Sequence, residues 1–90
     1  MDTFFAKTKA GHDKNQIYFL LKEDEEYVYL VNGTTKPLEK PKKKNRKHIQ
    51  LIKNLPIEVT EVMEAGTTNE NVKRAIKIYQ KLRQESEDFI

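Results

Sequence analysis

The residues best able to do chemistry in this chain lie between Lys36 and His48, which read Lys-Pro-Leu-Glu-Lys-Pro-Lys-Lys-Lys-Asn-Arg-Lys-His. Residues 36–54 hold eight cations (Lys36, Lys40, Lys42, Lys43, Lys44, Arg46, Lys47 and Lys53) against Glu39 alone, a net +7. The whole chain carries +3, so everything outside this segment sums to −4. Clustered ammonium and guanidinium groups bind phosphate backbones because each neutralised phosphate releases condensed counterions, a driving force that needs no base sequence. The competing reading is a solvated loop that offsets acids elsewhere. Against it, a +7 cluster repels itself, and a chain that needed only solubility would intersperse its signs. Pro37 and Pro41 restrict the backbone around the run and so present its charges. His48 could add a phosphate or base contact, or face outward from a strand. A smaller basic set, Lys7, Lys9 and Lys14, flanks Gly11 and joins the same face if folding brings that turn near the later segment.

Tyr18, Phe19, Tyr27 and Tyr29 could stack bases, as aromatic platforms do for single strands. They lie in the most hydrophobic stretches, which favours a core role, with Tyr27 and Tyr29 the better candidates for exposure. Catalysis finds little footing. Glu23-Asp24-Glu25-Glu26 is a consecutive run, which gives solvation and no defined acid–base pair. His12 and His48 have no ligand spacing, Ser86 is the only serine, and three scattered glycines make no phosphate loop. With no Cys, disulfides, thiolate metal sites and cysteine nucleophiles are excluded. The expectation is a non-enzymatic chain without metal or cofactor.

The elements that must position these residues fit one small domain of 90 residues, 37% apolar and 34% charged. No apolar run approaches the roughly 20 residues of a membrane span. Met1-Asp2-Thr3-Phe4-Phe5 lacks the cationic start of an export signal, so a cytoplasmic monomer without membrane contact is expected. Thr3–Lys7 is β-prone, and Ala10–Asn15 is a turn containing Gly and Asn, which take positive φ most easily. Gln16–Leu21 and Tyr27–Val31 read as strands joined through the acidic run in an antiparallel hairpin. Asn32-Gly33 signals a turn, after which Thr34–Leu38 can pair briefly before Pro41. Lys42–Lys47 is read as a basic loop, and His48–Ile52 returns to strand character. About five short strands at close spacing predict a small barrel over residues 1–54.

The period then changes. Val72, Ala75, Ile76, Tyr79 and Leu82 recur at helical spacing, predicting an amphipathic helix over about 69–85 within a C-terminal extension 55–90 packed on the same domain. Thr68 or Asn69 supplies its N-cap oxygen. Residues 55–66 fit either a short helix with Pro56 at its first position or an added edge strand.

Ala10-Gly11-His12-Asp13-Lys14-Asn15, the two apolar strands, Asn32-Gly33, and Leu38-Glu39-Lys40-Pro41-Lys42-Lys43-Lys44 through Lys47-His48-Ile49-Gln50 together resemble a KOW domain. They resemble in particular the KOW-containing RNA-binding proteins of Gram-positive bacteria, which are similar to an SH3-like large-subunit ribosomal protein of archaea and eukaryotes. The resemblance covers roughly residues 3–52, and Thr67-Thr68-Asn69 also looks like the tail of the bacterial group. It implies an SH3-like barrel followed by a C-terminal helix, binding to structured RNA of ribosomal kind, and possible contact with the ribosome or its proteins. Gly11 matches the family's turn glycine, while Asn15 stands where a second glycine is usual. The implied RNA-binding residues are Lys7, Lys9, Lys14, Lys36, Lys40, Lys42, Lys43, Lys44, Arg46, Lys47 and His48. The rival readings are a protein–protein adaptor docking through the acidic tip and a KOW module linked to a transcription or translation factor.

Overall fold

The computed structural model describes residues 4–9 and 16–88. The Ala10–Asn15 turn, with Gly11, His12, Lys14 and Asn15, lies outside the described residues. Among the described residues, five strands and two helices form a mixed α+β domain: β1 Phe5–Thr8, β2 Ile17–Glu23, β3 Tyr27–Val31, β4 Lys42–Asn45, β5 Ile49–Ile52, α1 Ile57–Glu64 and α2 Asn69–Asp88, with a 3₁₀ turn at Arg46–His48 between β4 and β5. The strands make one antiparallel sheet in the order β4-β3-β2-β1-β5.

The apolar stretch Ile17–Leu20 is buried throughout because β2 has a core on each side. Ile17 and Phe19 face Phe5, Val31 and the helices, while Tyr18 and Leu20 face Ala6, Val28, Leu30 and Ile49. Successive strand side chains point to opposite faces, so a run apolar at every position needs two partners. The helix side is pinned by Phe5, which meets Phe19 and Tyr79 edge to face at ring-centroid distances of 6.5 and 5.5 Å. Val72, Ala75, Ile76 and Tyr79, four residues of the expected helical stripe, supply most of the α2 half of that core.

The 3₁₀ turn constrains the sheet. Four strand intervals of about 4.8 Å would hold the edges of a flat five-stranded sheet about 19 Å apart. Three residues rising about 2 Å each cannot bridge that distance. Because β4 and β5 are the two edges and only Arg46–His48 joins them, the sheet curls strongly around Ala6, Tyr18, Val28 and Leu30. It is not closed: β4 pairs with β3 and β5 with β1, but not with each other.

Four expectations are corrected or resolved here. The lysine run expected as a loop is in part an edge strand, since Tyr27, Val28, Tyr29 and Leu30 offer a complete ladder for Asn45, Lys44, Lys43 and Lys42. An edge position also suits lysine, which discourages further pairing. Thr34–Leu38 forms bends and a turn, because Asn32 captures the chain: its Oδ1 accepts from the backbone N–H groups of Thr34 and Lys36, both at 2.9 Å. Residues 57–64 are helical, with Pro56 at the N-cap. The α2 cap is Thr68, whose Oγ1 accepts from the Asn71 N–H at 3.1 Å.

Asn69 is thereby freed to fasten the helix start to the 32–41 connection. Its Oδ1 accepts from the Leu38 N–H at 2.7 Å and its Nδ2 donates to the Glu39 carboxylate at 2.9 Å. Gly33, at φ 81°, lies against the same helix turn. Among the described residues no helix is long and apolar enough to cross a membrane.

Candidate functional site

Strand geometry divides the lysine run between two faces. Lys42 and Lys44 pair with Leu30 and Val28, whose side chains enter the core enclosed by the curled sheet. Lys43 and Asn45 pair with Tyr29 and Tyr27 on the opposite face. Lys42 is half-buried and its ammonium stands 5.9 Å from the centre of the buried Tyr18 ring. Partial burial, and after it the neighbouring Lys44 charge, holds the Lys42 ammonium below its usual pKa. The same burial argument raises the Tyr18 hydroxyl. On the other face Lys43 Nζ lies 4.1 Å from the Tyr27 ring centre, and Lys22 Nζ lies 4.7 Å from that of Tyr29.

The turn after β4 gathers further cations. Asn45 Oδ1 accepts from the Lys47 N–H at 3.0 Å, which sets Lys47 and His48 exposed at the rim. The Lys9 N–H donates to the His48 carbonyl at 2.9 Å, so the end of β1 arrives beside them. The Lys9 backbone thus reaches the later basic segment at His48. Lys14 lies outside the described residues. Lys7 goes elsewhere: it lines a groove of about 300 Å³ with Gln50, Lys53, Tyr79 and Arg83, at the seam of β5 and α2.

Arg46 also departs from the expected pattern. Its guanidinium donates to the Glu23 carboxylate at 2.9 Å and to the Asp24 carbonyl at 3.0 Å, and its N–H donates to the Glu26 carbonyl. Arg46 thus ties the acidic hairpin tip to the sheet edge. Within the tip, Asp24 accepts from the N–H groups of Tyr27 at 2.7 Å and Glu26 at 2.9 Å. Those bonds, that from Tyr27 first, hold its carboxyl below the usual pKa. Lys36 is half-buried in the Asn32 turn, and Lys40 is exposed in a turn closed by its own N–H on the Pro37 carbonyl at 2.9 Å. Glu39, the only acid of the basic segment, faces Asn69.

Lys43 and Lys44 lie on the β4 edge, Lys47 and His48 in the turn that joins it to β5, and the Lys9 backbone reaches that turn from the end of β1, with Lys40 on the connection leading into β4. The arrangement separates Lys7 and engages Arg46. Sequence reasoning missed Lys22, whose place over Tyr29 depends on a register shift between Leu20 and Lys22 that leaves Leu21 unpaired with β3. It also missed the convergence of Lys53 and Arg83 on Lys7. No signal short of the pairing register would have revealed either. Among the described residues no group of three or more His, Asp or Glu is gathered to hold a metal ion. No protein-family model and no curated protein matches this chain.

Proposed function

We propose that this protein binds structured RNA, of the ribosomal kind that its resemblance to KOW proteins implies, and acts in the cytoplasm as a ribosome-associated factor without catalysis. The carrying observation is the excess of seven positive charges in residues 36–54, borne largely by the edge strand β4 and the turn after it. Lys40, Lys42, Lys43, Lys44 and Lys47 meet phosphates, with Lys9 and His48 assisting at the rim. The reading of the sheet as an SH3-like barrel rests on its strand order and on the short 3₁₀ turn that draws its edges together.

Five lysine–phosphate contacts give a slope of log affinity against log salt of about −4.5 on duplex and about −3.5 on single strands. Binding to ribosomal RNA fragments therefore weakens by roughly two to three orders of magnitude between 50 and 200 mM salt. Replacing Lys43, Lys44 and Lys47 by Gln lowers the slope by about two to three. A salt-independent affinity, or a triple variant that binds like the parent, refutes the proposal.

A further inference from the structure

Tyr27 and Tyr29 are left over from the fold. Their β3 neighbours Val28, Leu30 and Val31 are fully buried, yet both tyrosines are only half-buried and neither belongs to either core cluster. They point to the same face as Val31, which the helices cover, but lie beyond that cover toward the hairpin tip. Strand propensity alone would be met by valine or threonine at an exposed position. The two rings sit two residues apart on one face, about 7 Å along the strand, and each carries a lysine ammonium over it, Lys43 at Tyr27 and Lys22 at Tyr29.

We propose that Tyr27 and Tyr29 form a stacking platform for two unpaired RNA nucleotides, with Lys22 and Lys43 binding the flanking phosphates. The inference rests on the RNA-binding reading and names its substrate as single-stranded. A base in a duplex is stacked on its neighbours and offers no free face, whereas a splayed base stacks on an aromatic ring whatever its identity. An exposed cation–π contact is weaker than a stacked base, so an incoming base displaces the ammonium by a side-chain rotation. The displaced lysine then meets the adjacent phosphate, an opposite charge in place of the ring. The acidic tip Glu23–Glu26 bounds the platform at the Tyr27 end, since it repels phosphates. The strand of RNA therefore leaves the platform sideways across the neighbouring strand β4, continuous with the proposed lysine contacts.

The test compares the full chain with its Tyr27→Leu/Tyr29→Leu variant on two probes. One is a 12-nucleotide single-stranded RNA without self-complementarity, and the other is a duplex of equal length. The double variant is expected to lose at least tenfold in affinity for the single strand and less than twofold for the duplex, while Tyr27→Phe/Tyr29→Phe keeps both. On the unaltered protein, titration with the single strand shifts the ring proton resonances of Tyr27 and Tyr29 upfield and leaves those of the buried Tyr18 in place. That measurement decides the matter if the leucine variant fails to fold. Unchanged single-strand binding in the leucine variant, equal loss on both probes, or unshifted Tyr27 and Tyr29 resonances overturns the platform while leaving salt-dependent RNA binding intact. A parent protein that binds neither probe at low salt overturns the RNA reading and the platform together.

Discussion

Replacing Gly33 by Ala tests whether the contact between the 32–41 connection and α2 holds the helix on the sheet. Gly33 has φ 81°, where an added Cβ costs roughly 1–2 kcal/mol in any L-residue. The Cβ would also collide with the Asn69 carbonyl oxygen and stand 3.0 Å from Lys73 N and 3.1 Å from Lys73 Cβ. All three obstacles belong to the first turn or so of α2, so relief requires that end of the helix to retreat. Retreat pulls Asn69 from the Leu38 N–H and disturbs the fully buried Val72. An orphaned hydrogen-bond group costs about 1–3 kcal/mol. Against this, alanine restricts the unfolded chain and returns about 0.4–1 kcal/mol. The net expectation is a loss of about 1–5 kcal/mol, centred on about 3, a large share of the roughly 5–15 kcal/mol that stabilises a domain. The melting temperature should fall by about 4–8 °C for each kcal/mol. Gly66 is the matched control: its φ of 148° is also unsuited to alanine, but its added Cβ meets nothing nearer than Asn71 Nδ2 at 3.9 Å. Gly66→Ala carries strain alone, about 1–3 kcal/mol before the same unfolded-state return. Urea unfolding at 25 °C with a shared m-value measures both. If Gly33→Ala costs no more than Gly66→Ala, the collision with α2 is not what the geometry says it is.

Three further outcomes are expected. Phe5→Ala empties the ring site between Phe19 and Tyr79 and should cost about 3–5 kcal/mol in urea unfolding; a loss below 2 kcal/mol would show that the two faces of the core collapse onto each other. Arg46→Ala removes an exposed ion pair worth roughly 0.2–1 kcal/mol and should leave the RNA salt slope nearly unchanged, because the guanidinium is already engaged by Glu23 and Asp24; a slope change of a full unit would place Arg46 on phosphate. Asp24 is held below its ordinary value of 3.8 by the N–H groups of Tyr27 and Glu26. The folded state therefore favours the carboxylate, and this contribution is present above pH 3.8 and lost as pH falls through the lower folded value. Carboxyl-carbon NMR should give an Asp24 midpoint below 3.8, and a midpoint at or above that value would remove the two hydrogen bonds from the account.

Much of the framework was legible along the chain. The hairpin of β2 and β3, the acidic tip between them and the amphipathic α2 all follow from local signals: alternating or continuous apolar runs, a charged turn, and a 3.6-residue stripe. These depend on neighbours within a few residues, which is why one sequence suffices to read them. Residues 55–66 read either way along the chain because Ile57 and Val59 suit a strand as well as a helix; packing of Val59 and Met63 in the core with Val31 and Val72 makes 57–64 helical.

The basic segment shows where local information ends. Its composition determined that residues 36–54 concentrate positive charge, and Coulomb attraction to phosphate needs nothing more. Only the tertiary structure decided that Lys42–Asn45 joins the edge of a sheet, because the ladder that recruits it comes from β3, more than ten residues earlier. Pairing then imposed alternation, sending Lys42 and Lys44 to one face and Lys43 to the tyrosine face, while Arg46 turned to the acidic tip. Charge is a property of the residues, but the direction in which each charge is presented is a property of the register.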